Sequence, residues 1–196
     1  MTQEQINDSV AFLKEKGFEQ PEIGIILGTG LGKLVDEIED AVEAHYHNIP
    51  FFPLATVEFH TGKLIYGTLS GKQVVVMQGR FHLYEGYSLQ DITYSVRVMK
   101  ELGIQKLFIS TAAGAVNLNF KKGDLMLIDD HINLQGSSPL AFKNVSDFGE
   151  RFFDMAAPYD ESMSSRMEQI AVKKGISLHK GVYAAVVGPQ LETRAE

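Results

Sequence analysis

The 196-residue sequence contains no cysteine and no tryptophan, and it has only six prolines. The absence of cysteine excludes disulfide bonds, thiolate nucleophiles and cysteine-based zinc sites. Positive charge is also scarce, because 18 lysines and arginines stand against 25 aspartates and glutamates, a formal net charge of −7. This balance argues against a DNA- or RNA-binding surface, which usually needs a basic face. It leaves room for a small positive pocket that binds an anionic substrate.

Long apolar runs are missing as well. No stretch of about 18 apolar residues occurs, so we expect no membrane span. The first residues, Met1–Gln5, are polar and lack the basic start and apolar core of a signal peptide. Apolar residues make up 44% of the chain and charged residues 22%, which is typical of a soluble globular protein. We therefore expect one domain over residues 1–196, located in the cytoplasm.

Apolar periodicity alternates between two forms along the chain. Patterns typical of helices cover residues 3–16, 31–38, 88–102 and 158–174. Short apolar runs predict strands at 23–27, 63–69, 73–77, 107–110, 125–128 and 181–187. Residues 132–157 lack a clear period and predict a long loop. Ser70–Lys72 predicts a hairpin turn, and Ile92, Val96 and Met99, with Ser95 beside them, mark one face of the third helix. This alternation predicts an α/β fold with a parallel or mixed sheet.

The segment Gly28–Gly32, GTGLG, lies where a predicted strand passes into a predicted helix. Glycines at such a place let the backbone approach a ligand, and exposed N–H groups with the helix dipole favour an anion. The dinucleotide-binding pattern fails because Lys33 stands where glycine is needed, and the P-loop pattern fails at Leu27 and Leu34. An anion site and a simple tight turn both fit this segment.

The segment Gly79–Gly86, GRFHLYEG, directly follows a predicted strand. In an extended chain, Arg80, His82 and Tyr84 share one face. The planar guanidinium suits phosphate oxygens, the imidazole donates N–H groups, and the tyrosine ring suits a sugar. A solvated edge strand with a salt bridge between Arg80 and Glu85 is the alternative. It leaves the concentration of functional side chains unexplained, so we favour a binding site.

Two further segments follow predicted strands. The small residues of Thr111–Ala115 leave backbone groups open at the carboxyl end of a strand, where ligands of α/β sheets bind. In Gly188–Thr193, Glu192 lies beside Leu191 and a Gly-Pro turn, and its carboxylate can accept two donors from a planar base. Close packing explains the first segment equally simply, and an acid at a helix N-terminus explains the second. Local evidence alone prefers these structural alternatives.

Other candidates are less specific. His60 precedes a Thr-Gly pair, and a lone histidine is more often structural than catalytic. His45 and His47 have no acid pair or third ligand nearby in the sequence, so we expect no metal site. No serine lies in a G-x-S-x-G elbow, so a hydrolase triad has no support.

Taken together, these segments resemble the trimeric purine nucleoside phosphorylases. The matching text is GTGLG at 28–32, HTGKLIYG at 60–67, MQGRFHLYEGY at 77–87, AAGAVN at 112–117, GDLMLIDDHINL at 123–134 and GPQLETRAE at 188–196. The joint occurrence of QGRFHxYEG, DHIN and GPxxET is far more specific than any single glycine motif. The resemblance covers nearly the whole chain.

The resemblance implies a three-layer α/β sandwich with a central mixed β-sheet, as in phosphorylase/hydrolase-like folds, assembled as a homotrimer. It implies phosphorolysis of inosine, guanosine and their deoxy forms to the free purine and (deoxy)ribose 1-phosphate, in purine salvage. Inorganic phosphate is then a co-substrate, and neither a cofactor nor a metal is expected. The other expected partner is the purine nucleoside; no nucleic acid and no membrane are expected.

The resemblance also implies roles for individual residues. The expected phosphate ligands are Thr29, His60, Arg80, His82 and the backbone of Ala112. The expected ribose contacts are Tyr84 and, from the neighbouring subunit, Phe152. The expected purine contacts are Ala112, Ala113, Gly114, Leu191 and Glu192. His82 and Glu192 are the expected catalytic residues. Because an ionised carboxylate only accepts hydrogen bonds, Glu192 should prefer 6-oxopurines, which present an N1–H, over adenine.

This sequence departs from the family pattern at three positions and in length. Thr29 stands where serine is common, Thr111 where asparagine is common, and Leu191 where an aromatic ring is common. Family members continue for several dozen residues beyond Glu196, so we expect little or no turnover by these 196 residues. The alternatives are a non-catalytic remnant that binds phosphate or nucleoside, a methylthioadenosine phosphorylase-like enzyme, and an unrelated phosphate-binding α/β domain.

Overall fold

The computed structural model describes residues 1–53, 62–142 and 145–195, and it forms two compact units, residues 1–112 and 113–196. The helices and strands of the described residues are α1 Gln3–Glu15, β1 Ile23–Ile26, β2 Glu39–His45, β3 Lys63–Leu69, β4 Lys72–Gln78, α2 Leu89–Leu102, β5 Lys106–Ile109, β6 Leu125–Asn133, α3 Glu161–Lys174 and β7 Leu178–Ala185. Short 3₁₀ turns lie between several of them. No helix in these ranges has the length and apolarity needed to cross a membrane.

The first unit is built on a five-stranded sheet with the strand order β2-β3-β4-β1-β5. β1 runs parallel to both β4 and β5, whereas β2, β3 and β4 are antiparallel neighbours. β3 and β4 form the predicted hairpin around Ser70 and Gly71, both of which have positive φ. The sheet is therefore mixed, and the predicted α/β class with a mixed central sheet is confirmed.

Apolar side chains cover both faces of this sheet. On one face, Val74 and Val76 of β4 pack in a buried cluster with Leu27, Ile38 and Ile65. On the other face, Gly24 of β1 lies so close to its neighbours that an added Cβ would approach the side chains of residues 99, 104 and 107 within 2.7 to 3.6 Å. A strand buried on both sides explains why β4 is a continuous apolar run.

Both helices of the first unit begin at capping boxes, which satisfy backbone N–H groups at the helix start. In α1 the Thr2 hydroxyl accepts the backbone N–H of Gln5, and the Gln5 side chain accepts the backbone N–H of Thr2. Ser88 and Asp91 form the same reciprocal pair at the start of α2. α2 ends at Gly103, whose φ of 123° is open to glycine and strained for other residues.

The buried face of α2 differs from the one expected. It consists of Tyr94, Ser95, Val98, Met99 and Leu102, so of the predicted residues only Met99 and Ser95 are buried. Ile92 and Val96 are half-buried at the edge of this stripe. Tyr94 is buried because its hydroxyl finds hydrogen-bond partners on α1. It donates to the Gln5 carbonyl at 2.7 Å and lies 2.7 Å from the Ser9 hydroxyl. These bonds let polar residues occupy the inner face.

The second unit contains β6 and β7, which pair in parallel, and α3. The Asp160 side chain accepts the backbone N–H of Met163 to cap α3, and Gly175 ends the helix in the left-handed conformation. Among the described residues of this unit, Ala171 is the only buried apolar one. The single-domain prediction for the whole chain stays a prediction.

Two expectations about local structure were wrong, and one strand was not predicted. β2 was not expected, because Glu39–His45 is rich in acids and lacks a clear period; it forms an edge strand through its pairing with β3. Residues 32–37 form a 3₁₀ turn rather than a regular helix. β6 extends through Asn133 into the expected loop, and a 3₁₀ turn at Val145–Phe148 lies farther along it.

Candidate functional site

Three strands of the first unit end side by side at one edge of the sheet. β4, β1 and β5 are parallel neighbours, and Ile26 at the end of β1 lies in register with Met77 and Ile109. The segments after these strands, beginning at Gly28, Gly79 and Ser110, therefore meet at this edge. Ligands of α/β sheets bind at such carboxyl ends. Two of the four predicted segments and the start of a third come together here.

The Gly28 segment is fixed by the segment after β5. The backbone N–H of Gly28 donates to the Ser110 hydroxyl at 2.8 Å. A Cβ at Gly28 would lie 2.7 Å from the Ser110 carbonyl oxygen, so only glycine fits. Thr29, the predicted phosphate ligand, is exposed beside it.

No α-helix begins directly after this segment, whose pattern fits both an anion site and a tight turn. After Leu31 the chain forms a 3₁₀ turn of six residues, Gly32–Glu37, which is too short to provide a helix dipole of the expected size. The Gly28 N–H is already engaged by Ser110. Any anion held at this edge must therefore depend on side chains and on other backbone groups.

Arg80 reaches from the segment after β4 to the segment after β5. Its Nη1 donates to the Ser110 carbonyl at 2.9 Å, and its Nη2 donates to the Thr111 hydroxyl at 3.0 Å. The Thr111 hydroxyl in turn donates to the carbonyl of Ala112 at 3.2 Å. The guanidinium is thus held at two of its nitrogens across the carboxyl edge of the sheet.

His82 binds Glu85, the residue expected to pair with Arg80 in the salt-bridge alternative. The Nδ1 of His82 lies 2.5 Å from Glu85 Oε1, and its backbone N–H donates to the same oxygen at 3.0 Å. The Glu85 side chain is only 6% exposed. Because a carboxylate accepts and does not donate, the Nδ1 of His82 carries the hydrogen, and Nε2 is the ring nitrogen directed away from Glu85. A protonated ring donates to an anion from Nε2.

Tyr84 stacks on His82, with ring centroids 4.8 Å apart and planes at 14°. The stacking arises differently from the expected extended chain. His82 is extended, but Leu83–Glu85 forms a 3₁₀ turn that folds the tyrosine back onto the imidazole. The prediction of one face through strand alternation was wrong for Tyr84, although the two rings do lie together. Tyr84 remains half exposed at 49%.

Tyr46 packs against this loop, and the sequence patterns did not predict that contact. Its hydroxyl donates to the Gly79 carbonyl at 2.7 Å, and its ring packs on Phe81 with centroids 5.2 Å apart. Gly62 lies flat against the ring, since a Cβ there would be 2.3 Å from it. Burial raises the pKa of Tyr46 far above its ordinary value. Phe81 is buried, so this loop is anchored on both sides of Arg80.

The remaining predicted site residues that the structure describes lie in the second unit. Ala113, Gly114 and Glu192 are exposed there, as are Phe152 at 85% and Leu191 at 86%. Glu192 follows the Gly-Pro turn, and residues 191–195 form no helix; both interpretations of this acid stay predictions. The roles of these five residues stay predictions. His60 lies outside the described residues.

A hydrogen-bonded pair of Asp124 and His179, stacked by Phe120, lies elsewhere in the second unit. Asp124 accepts the backbone N–H of Lys121 at 2.8 Å and lies 3.0 Å from His179 Nε2, and Phe120 stacks on the imidazole. The backbone bond first, and the histidine second, hold the pKa of Asp124 below its ordinary value. In residues 1–53, 62–142 and 145–195, no three histidine or acidic side chains form a group that can hold a metal ion.

Comparison with known proteins adds a consistent result. The profile of the phosphorylase superfamily matches residues 22–196. A Bacillus subtilis protein named purine nucleoside phosphorylase 1 is 53% identical over 193 residues, which are 98% of this chain and 71% of that protein. A schistosome purine nucleoside phosphorylase crystallised with hypoxanthine has a TM-score of 0.94 and 42% identity, covering 100% of this chain and 70% of that one.

A further structure has the same degree of similarity. A purine nucleoside phosphorylase in complex with ribose-1-phosphate has a TM-score of 0.94 and 43% identity, and the match covers 98% of this chain and 73% of that chain. Agreement of this kind extends over both compact units of the chain.

Proposed function

Since this chain belongs to the phosphorylase superfamily and, within it, to the purine nucleoside phosphorylases, we propose that it serves the phosphate-dependent cleavage of purine nucleosides. The products are a free purine and ribose 1-phosphate, and inorganic phosphate is the co-substrate, with no cofactor. One observation carries the proposal: the Arg80 guanidinium is held by Ser110 and Thr111 at the edge where three parallel strands end. A positively charged side chain held in place at such an edge can bind an oxyanion such as phosphate.

The reaction fits side chains of this kind. Cleavage of a glycosidic bond passes through an oxocarbenium-like transition state. A phosphate held beneath the sugar stabilises that positive charge and is also close enough to attack C1′. The phosphate oxygen bonds to C1′ as the bond to the base nitrogen breaks, and the electron pair leaves with the base. No covalent enzyme intermediate is needed.

The first unit supplies the proposed oxyanion contacts. Arg80 binds phosphate oxygens through its remaining N–H groups, and His82 donates from Nε2 while Glu85 holds Nδ1. The hydroxyl of Thr29 and the backbone of Ala112 complete the phosphate contacts. Tyr84, exposed above the imidazole, offers its ring and hydroxyl to the ribose.

The second unit supplies the proposed contacts with the base. Glu192 accepts from the purine N1–H, while Leu191 packs on the ring with Ala113 and Gly114 beside it. The exposure of Leu191 and Phe152 is compatible with surfaces that a ligand or another subunit covers. We propose a homotrimer in which Phe152 reaches the ribose of the neighbouring subunit. Schistosome relatives were crystallised with hypoxanthine and with adenosine, so the proposed preference for 6-oxopurines rests on the Glu192 carboxylate alone. We also propose a cytoplasmic location.

Phosphate binding is the first test of this function. We expect the chain to bind inorganic phosphate, measured by ³¹P NMR titration, and Arg80→Gln to weaken binding at least about tenfold, because hydrogen bonds from charged donors are strong. Arg166→Gln, an exposed arginine of α3, is the matched control and should bind like the unsubstituted chain. Equal binding by both variants would contradict the proposed site.

Turnover is the second test. Inosine, guanosine and adenosine are each incubated with phosphate, and release of the base is followed by chromatography. Where cleavage occurs, we expect the rates for inosine and guanosine to exceed the rate for adenosine. Equal rates for the three nucleosides would overturn the role of Glu192. Phosphate binding without any cleavage would instead support a non-catalytic binding protein.

A further inference from the structure

Ser110, the residue directly after β5, connects the two other segments at the carboxyl edge. Its hydroxyl accepts the Gly28 N–H at 2.8 Å and donates to the Ile26 carbonyl at 3.3 Å. Its backbone carbonyl accepts Nη1 of Arg80 at 2.9 Å. One residue therefore ties the end of β1 to the guanidinium that lies just after β4.

This connection leaves Ser110 little freedom to move. Its backbone N–H donates to the Ile26 carbonyl at 3.0 Å, so the residue is held to β1 through both backbone and side chain. A Cβ at Gly28 would meet the Ser110 carbonyl oxygen at 2.7 Å and its carbonyl carbon at 2.9 Å. The Ser110 carbonyl oxygen consequently has a fixed position, and it is this oxygen that orients Arg80.

Thr111 supplies the second contact with the guanidinium. Arginine has five N–H donors in one plane, and the bonds to Ser110 and Thr111 use one on each terminal nitrogen. Two contacts prevent rotation of the group, so the remaining donors keep their direction before any ligand arrives. Binding then orders fewer side-chain torsions, which improves affinity.

We propose that Ser110 and Thr111 are positioning residues that preorganise Arg80 for phosphate without touching the phosphate themselves. The inference rests on the proposed function. It also assigns a structural purpose to the Gly28 N–H, which holds Ser110 in place and is unavailable to the anion.

The test measures the dissociation constant of inorganic phosphate for the 196-residue chain. Thr111→Val keeps the shape and removes the hydroxyl, and we expect binding to weaken about three- to tenfold, the range for one lost hydrogen bond. Thr111→Ser keeps the hydroxyl and should bind within about twofold of the unsubstituted chain. Ser110→Ala frees the Gly28 segment and should weaken binding to a similar extent as Thr111→Val.

Controls separate positioning from folding. Ser95→Ala removes a fully buried serine of α2 whose hydroxyl makes a long bond to the Ile92 carbonyl in the described part of the chain, so thermal stability should change and the phosphate affinity should not. NMR of the arginine guanidinium gives a second readout. The Nη signals of Arg80 are identified as those that disappear in Arg80→Gln. In the unsubstituted chain the two Nη groups should give separate signals, because the guanidinium does not rotate. In Thr111→Val the guanidinium rotates and the signals should merge.

The outcomes distinguish the two proposals. Lack of phosphate binding by the unsubstituted chain, or unchanged binding by Arg80→Gln, would overturn the proposed function and this inference with it. Loss of binding in Arg80→Gln with unchanged affinity in both Ser110→Ala and Thr111→Val would overturn the positioning role alone. Thr111 is exposed, so its variants should fold even if Ser110→Ala does not.

Discussion

The two units of this chain use similar apolar strands with opposite results. In the first unit, Val74–Met77 of β4 are at most 1% exposed, because β3 and β1 flank the strand and side chains cover both faces. In the described part of the second unit, β6 has a strand partner on one side only, and Leu125 and Ile132 are more than half exposed. A strand's apolar content therefore predicts its burial only when its neighbours are known.

The site shows the same division. The proposed oxyanion contacts lie in the unit with the packed core, where Arg80 and His82 have fixed hydrogen-bond partners. The predicted base contacts lie in the unit where Ala171 is the only buried apolar residue among those described. Rigid scaffolds hold catalytic groups more accurately than exposed segments do. We thus expect phosphate recognition to be the more autonomous part of the function.

The largest expected difference is in hydrogen exchange. Amides of β4 should exchange only through global unfolding, whereas amides of β6 and β7 should exchange through local opening. The rates should differ by about three orders of magnitude, given typical global stabilities and the range of local ones. Exchange followed by mass spectrometry or NMR checks this. Equal protection of β4 and β6 would remove the contrast between the units.

A matched pair of leucines should show the next largest effect. Leu64→Ala in β3 empties a fully buried site and should lower the free energy of unfolding by about 2–5 kcal/mol. Leu118→Ala changes a side chain that is 98% exposed and should stay within about 0.5 kcal/mol. Urea unfolding measures both. Similar losses in the two variants would show that Leu118 is packed in solution.

A pair of glycines tests crowding in each unit. Gly62→Ala places a methyl group 2.3 Å from the Tyr46 ring and should cost about 1–3 kcal/mol in unfolding free energy. Gly114→Ala meets no atom of the described residues within 4 Å and should be nearly neutral. The same substitution in both places controls for the change in backbone entropy. A neutral Gly62→Ala would mean that Tyr46 moves aside readily.

The smallest expected effect concerns Asp124. Its folded-state pKa is lowered, so its contribution to stability is present above about pH 4, the ordinary pKa of aspartate, and is lost as pH falls through the folded value. His179→Gln should raise this pKa but leave it below the ordinary value, because the larger cause is the Lys121 N–H. A ¹³C titration of the carboxyl group measures the shift. If the pKa of Asp124 returned fully to the ordinary value in His179→Gln, the histidine and not the Lys121 N–H would be the larger cause.

Much of the first unit is predictable from sequence because its signals are local. Caps at Thr2 and Ser88, the turn at Ser70–Lys72 and the periodicity of α1 each act within a few residues. β2 escaped prediction because its strand conformation depends on pairing with β3 and not on its acid-rich sequence. The inner face of α2 was predicted incorrectly because Tyr94 is buried there through its hydrogen bond to α1, which periodicity does not reveal.

The site divides in the same way. The segment containing Arg80, His82 and Tyr84 stands out by composition, but their partners do not. Ser110 becomes a ligand of Arg80 only through the strand order β4-β1-β5, which brings together residues 30 positions apart. Tyr46 lies in a stretch without any motif, and only the close approach of Gly62 and Gly79 identifies it. Long-range partners of this kind require the topology.

The strand order also dictates when the site can first exist during synthesis. β1 and β4 leave the ribosome early and already carry Gly28 and Arg80, yet the groups that orient both belong to the segment after β5. A nascent chain that stops before Lys106 has the guanidinium without its anchors. Anion binding should therefore arise only once residues 106–111 have emerged and β5 has paired with the exposed side of β1.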